Sequence, residues 1–99
     1  MNILILGSGV VGANLAKKLS EQGKNVFLLD DDANELKNLS ERYDIKTIFD
    51  DPLNPSFYKN FNTKIDYFIA VTRSDEKNLI TSKFAKEFLN VEKSIARIR

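Results

Sequence analysis

Ile3-Leu4-Ile5-Leu6-Gly7-Ser8-Gly9-Val10-Val11-Gly12 runs an unbroken apolar stretch into three glycines spaced G-x-G-x-x-G. Four consecutive apolar residues without alternation read as a strand covered on both faces, which places it inside a parallel sheet. The segment from about Val10 to Gln22 carries Val11, Leu15 and Leu19 at i, i+4 spacing, so it reads as an amphipathic helix with those residues inward. Gly23 follows as its C-terminal cap. Val26–Leu29 is a second buried strand, and it ends at Asp30, 18 positions beyond Gly12. A glycine loop between strand and helix, with an acid closing the next strand, is more specific than the glycines alone.

Outward from this unit the chain keeps alternating. Asp32 and Glu35 make a capping pair for a second helix, with Ala33, Leu36, Leu39 and Tyr43 inward. Ile45–Phe49 reads as a weaker third strand. Asn54-Pro55 opens a short helix bearing Phe57, Tyr58 and Phe61, which are expected to pack rather than to stack on a base. Ile65–Val71 is the fourth strand. Ser74-Asp75-Glu76 begins a longer helix reaching Leu89, with Leu79, Ile80, Phe84, Phe88 and Leu89 as its apolar stripe. Ser94–Ile98 is the fifth strand. The expected fold is α/β: a doubly wound parallel sheet of about five strands with right-handed crossovers, the Rossmann-like type. Such sheets usually continue with a further helix and strand. Residues 1–99 are therefore expected to be one domain, a truncated form of a six-stranded one and the N-terminal piece of a longer subunit.

Composition narrows the chemistry. The formal net charge of +1 gives no general pull toward nucleic acid or anionic lipid. Cysteine and histidine are absent, which removes thiolate catalysis, disulfides and the commonest general base and transition-metal ligand. No apolar run is long enough for a bilayer, and no signal-peptide pattern opens the chain, so a cytoplasmic location is expected.

Each glycine has a physical task in this motif. Gly7 permits the tight turn, Gly9 lets a pyrophosphate approach the backbone, and Gly12 lets the helix lie close on the sheet. Ser8, Val10 and Val11 complete the loop, where the positive end of the helix dipole meets the phosphates. Asp30 is placed to accept the ribose hydroxyls of an adenosine. It would also oppose a 2′-phosphate: two unit charges ~5 Å apart at an effective dielectric of ~20 repel by about 3 kcal/mol. Asp31 and Asp32 add to that field, although both suit a solvated turn. NAD(H) is thus expected over NADP(H). Ligands of such sheets bind outside the carboxyl ends of the strands. Asp51 is accordingly expected beside the adenine edge, Thr72 and Arg73 along the nucleotide, and Arg97 at the phosphates.

The stretches Met1–Gly12, Val26–Asp30, Ala70-Val71-Thr72 with Asp75-Glu76 and Asn78, and Ile95–Arg99 resemble the RCK (regulator of potassium conductance) N-domain family. That family includes the N-terminal domain of the peripheral subunit of the Trk potassium-uptake system. The resemblance covers the whole chain in order. It implies a regulator rather than an enzyme: a domain that binds NAD(H) or adenine nucleotides (ATP, ADP), assembles as dimers or rings, and controls a membrane potassium transporter or channel. By resemblance, Gly7–Val11, Asp30, Thr72, Arg73 and Arg97 fall on nucleotide-contacting positions. Two departures stand out. Phe49-Asp50-Asp51-Pro52-Leu53 replaces a glycine-led polar loop, and Val10-Val11 stands where ATP-sensing members can carry an arginine.

Two other classes share the glycine loop. The cofactor half of an NAD-dependent dehydrogenase is one, but no Tyr-x-x-x-Lys pair occurs in the chain. A methyltransferase is the other, but such enzymes usually carry an acid just before the loop, where Leu6 stands. The apolar excess of Phe84, Phe88 and Leu89 adds the expectation that the last helix packs partly on a second copy.

Overall fold

A computed structural model describes residues 1–99. Five strands and four helices alternate: β1 (Asn2–Leu6), α1 (Val10–Glu21), β2 (Asn25–Asp30), α2 (Ala33–Arg42), β3 (Lys46–Phe49), α3 (Pro55–Asn60), β4 (Tyr67–Ala70), α4 (Asp75–Phe84, continued by a π-turn over Ala85–Leu89) and β5 (Lys93–Ala96). All strand pairs are parallel, in the order β3-β2-β1-β4-β5. The α/β, doubly wound architecture expected from the sequence is therefore the one observed, with five strands.

Period-two alternation in the strands divides the core between the two faces of the sheet. Ile3, Ile5, Val26 and Leu28 point to one face, where Ala16 of α1 and Leu36 and Leu39 of α2 cover them. Leu4, Leu6, Phe27, Leu29 and Phe68 point to the other, covered by Tyr58 of α3 and by Ala85 and Leu89 after α4. At ~25 cal/mol per Å² of apolar surface, these two layers are the main favourable term holding so small a domain together.

The caps fall where the sequence puts them. Asp32 Oδ1 accepts from the Glu35 N–H, Asn54 Oδ1 from the Ser56 N–H, and Ser74 Oγ from the Lys77 N–H. Gly23, at φ +82°, ends α1: its N–H donates to the Ser20 carbonyl and that of Lys24 to the Leu19 carbonyl. This paired pattern is a Schellman closure.

Three expected faces differ. Val11 is not part of the α1 inner stripe; it is exposed, and Gly12 and Ala16 lie against the sheet instead, with Leu15 and Leu19 partly covered. Ala33 is exposed, because only one edge of the short α2 meets β2 and β3. On α4 the buried line is Asn78, Thr81 and Ala85, so Leu79 and Ile80 face outward at 47% and 44% exposure. The cause is polar. Asn78 is tied to carbonyls at the sheet's end, and that tether fixes the helix rotation. Phe84 and Phe88 do turn inward, with Phe84 5.6 Å from the Tyr58 ring. The π-turn ends at Asn90, held at φ 53°, a conformation that Asn tolerates. Strand β5 also stops earlier than expected, at Ala96, where its only neighbour β4 ends; Ile98 is exposed. No helix is long and apolar enough to cross a membrane.

Candidate functional site

The order β3-β2-β1-β4-β5 makes the chain leave β1 in one direction and β4 in the other. A crevice must open between the two departing loops, at the carboxyl ends of the strands. It is a cleft of about 500 Å³ lined by the glycine loop, the end of β2, the loop after β4 and the end of β5. That volume lies within the range of small-molecule sites.

Gly7 stands at φ +115°, a left-handed conformation that favours glycine, and a Cβ there would sit 3.2 Å from the Val71 and Thr72 backbone. Gly12 is constrained harder: its Cβ would fall 1.7 Å from the Gly7 carbonyl oxygen. The helix start therefore nests directly on the bend. Gly9 is different. Its φ of −70° suits any residue, and a Cβ there would meet nothing within 4 Å. Neither the backbone nor the packing of this chain requires a glycine at position 9. The free space in front of it opens into the cleft. Unlike α2, α3 and α4, helix α1 has no side chain capping its N-terminus, and unlike α2 and α4 it has no acid in its first turn. Its first N–H groups and the positive end of its dipole face the cleft without a competing carboxylate of its own.

Asp30 closes β2 opposite this loop. Its Oδ2 accepts hydrogen bonds from the Ser8 N–H and the Ser8 hydroxyl, both at 2.7 Å, and its Oδ1 accepts from the Asp32 N–H at 3.0 Å. Burial raises the carboxyl's pKa, but the Ser8 hydroxyl, the Ser8 N–H and the neighbouring donors outweigh it and hold Asp30 below its ordinary value. Asp30 is thus an anion at neutral pH, facing the bend.

The far wall belongs to β4, α4 and β5. Asn78, fully buried, joins these elements. Its Oδ1 accepts from the Thr72 N–H at 3.0 Å and the Thr72 hydroxyl at 2.6 Å. Its Nδ2 donates to the carbonyls of Thr72 and Arg97 at 3.1 and 3.0 Å. One amide thereby sets the positions of two cleft residues just beyond the ends of neighbouring strands. Arg99 folds back: its guanidinium donates to the Arg73 carbonyl and its backbone N–H to Asp75.

Of the residues singled out in the sequence, Gly7, Ser8, Gly9, Val10, Val11, Asp30, Thr72, Arg73 and Arg97 line this one cleft. Gly12 lies behind the loop as a packing position. Asp31 does not line it. Asp51 does not either: its Oδ1 accepts the Leu53 N–H, so the carboxylate turns back on its own loop. Asp50 likewise accepts the Asp51 N–H and borders a separate, shallower hollow beside α3. Tyr58 anchors that loop by donating to the Pro52 carbonyl at 2.7 Å. Burial, then the Asp51 and Asp50 charges, push its hydroxyl far above the ordinary range, so it remains a neutral donor.

Sequence reasoning missed Glu35, Lys77 and Arg99 as cleft residues, and read Asp32 as a cap that adds to the field around Asp30 rather than as part of the lining. Two signals were available. Arg99 shares the two-residue period of Arg97, and Lys77 lies in the first turn of α4. With them the cleft has an acidic end (Asp30, Asp32, Glu35) from β2 and α2, and a basic end (Arg73, Lys77, Arg97, Arg99) from β4, α4 and β5. The glycine bend lies between. An elongated ligand with a polyol at one end and anionic groups further along matches that polarity.

Known proteins share this sequence and fold. The chain is 33% identical over 100 residues to the Trk system potassium uptake protein TrkA of Haemophilus influenzae, covering all of this chain and 22% of that protein. It is 35% identical over 100 residues to the protein of the same name from Halomonas elongata, again all of this chain and 22% of that one. It is 32% identical over 103 residues to the Streptomyces coelicolor protein of that name, covering 99% of this chain and 44% of that one. The chain thus spans between about a fifth and a half of the length of these relatives. Among solved structures, the NAD(P)-binding domain of an exopolyphosphatase-related protein from Archaeoglobus fulgidus superposes with a TM-score of 0.79 at 23% identity, over 90% of this chain and 67% of that one. UDP-glucose 4-epimerase from Bifidobacterium longum, solved with NAD+ and UDP, superposes with a TM-score of 0.72 at 14% identity, over 91% and 33%. These two likenesses show the fold alone. The TrkA-N domain model matches residues 3–99, and the chain belongs to that family.

Proposed function

We propose that this domain is the nucleotide-sensing part of a cytoplasmic regulator of potassium uptake, with NAD(H) as its ligand. The observation that carries the reading is Gly9: a glycine that the fold does not need, at the mouth of an uncapped helix and facing an ionised Asp30. A bound NAD(H) would supply a pyrophosphate and an adenosine diol. The α1 N-terminus and Gly9 would receive the first, and Asp30 the second. Thr72, Arg73 and Arg97 would hold the remainder along the basic wall.

The link to potassium uptake rests on the relatives' names, and the regulatory role on the family resemblance and the chain's own chemistry. With neither His nor Cys in the sequence, the commonest general base and the thiolate nucleophile are missing, and the cleft residues are read as binding groups. Occupancy would bias how the domain packs in a homodimer or ring, and a membrane potassium transporter subunit would read that bias.

Calorimetric titration with NAD+, NADH, NADP+, ADP and ATP tests the ligand. NAD+ or NADH is expected to bind at least about tenfold more tightly than NADP+, and Asp30→Ala to weaken NAD+ by at least about tenfold. Tighter binding of NADP+ or ATP than of NAD(H) overturns the choice of ligand. Absence of any binding overturns the sensing role.

A further inference from the structure

A carboxylate offers about four lone-pair directions. In Asp30 three are already filled by the chain: two on Oδ2 by the Ser8 N–H and hydroxyl, one on Oδ1 by the Asp32 N–H. A ribose diol brings two O–H donors to the same group. One hydroxyl can use the free direction on Oδ1. The second can bind only by displacing a donor already there. The two backbone N–H groups are fixed by the glycine bend and by the start of α2. The Ser8 hydroxyl is the one donor that turns about a single bond, and its only hydrogen bond runs to Asp30. Ser8 is 4% exposed, so a displaced hydroxyl does not simply pass to solvent.

Resting on the nucleotide reading above, we propose that Ser8 determines sugar specificity: its hydroxyl occupies, in the free protein, the place on Asp30 Oδ2 that one ribose hydroxyl takes on binding. A second ribose hydroxyl then exchanges one hydrogen bond for another and adds little affinity. The native site discriminates weakly between ribose and deoxyribose nucleotides, and its affinity for the full diol stays moderate. Removal of the Ser8 hydroxyl vacates the position, and the diol gains a bond that a single hydroxyl does not need.

The test is a two-by-two titration. Wild type and Ser8→Ala are each titrated by calorimetry with NAD+ and with the NAD+ analogue lacking the 2′-hydroxyl of the adenosine ribose. Ser8→Ala is expected to bind NAD+ about fivefold more tightly than wild type, the size of one hydrogen bond of ~1 kcal/mol. The deoxy analogue is expected to bind both forms within about twofold. Equal NAD+ affinity in the two forms, weaker binding by Ser8→Ala, or an equal gain for the deoxy analogue overturns the proposal. Failure of wild type to bind NAD+ is a separate outcome, and it overturns the nucleotide reading on which the proposal rests. A carboxyl-carbon NMR titration of the ligand-free forms checks the contact itself. The Asp30 midpoint is expected to rise in Ser8→Ala, and an unchanged midpoint removes the competition.

Discussion

Gly9 and Gly12 stand in one loop and answer to different constraints. A methyl group at position 12 collides with the Gly7 carbonyl, whereas at position 9 it enters open cleft. Gly12→Ala is expected to cost more than about 3 kcal/mol, read as a loss of the folded baseline in chemical denaturation. Gly9→Ala is expected to keep its thermal midpoint within about 4 °C of wild type while weakening NAD+ at least about tenfold. Asp30 carries a second prediction. Its folded pKa lies below the ordinary value of 3.8, so its ionised contacts contribute stability that is complete above that value and is lost as pH falls through the depressed one. Acid unfolding followed by circular dichroism should therefore show a contribution intact down to about pH 4 and declining below it. Asp30→Asn should be less stable at neutral pH and should change less over that acid range.

At the scale of elements, α4 is where polar geometry overrules the apolar pattern. Asn78 satisfies the N–H and carbonyl of Thr72 and the carbonyl of Arg97. Asn78→Ala would strip these buried groups of partners at ~1–3 kcal/mol each, so a net loss above about 2 kcal/mol is expected in urea titration. Leu79→Lys, by contrast, should leave the domain within about 0.5 kcal/mol of wild type, because residue 79 faces outward. This contrast marks how far the sequence could be read. Strand and helix order, the caps at Asp32, Asn54 and Ser74, and the cleft-lining loop were all legible. They depend on local spacing and on residue types with narrow roles. The rotation of α4 was not, since it is set by a side-chain bond between residues 19 positions apart. The same holds for Asp51: a turn carboxylate that caps its own loop looks, in sequence, like one that faces a ligand. Arg99 was quoted only within the Ile95–Arg99 stretch; its bond to the Arg73 carbonyl joins residues 26 positions apart, which local spacing does not show.

For the molecule as a whole, the ligand would bridge loops from four strands on both sides of the switch point, so binding and folding are coupled. NAD+ at about 100 times its dissociation constant is expected to add ~2.7 kcal/mol, raising the thermal midpoint by roughly 10–20 °C in scanning calorimetry. Phe84, Phe88 and Leu89, expected from the sequence to meet a second copy, instead pack on the domain's own core, which leaves Leu79 and Ile80 as the exposed apolar residues of α4. The division between Gly9 and Gly12 also reaches beyond one protein. In a lineage that abandoned its metabolite signal, selection would relax at position 9 while position 12 stayed frozen by architecture. The two positions, compared across descendants, would distinguish working receptors from inert scaffolds that merely retain the shape.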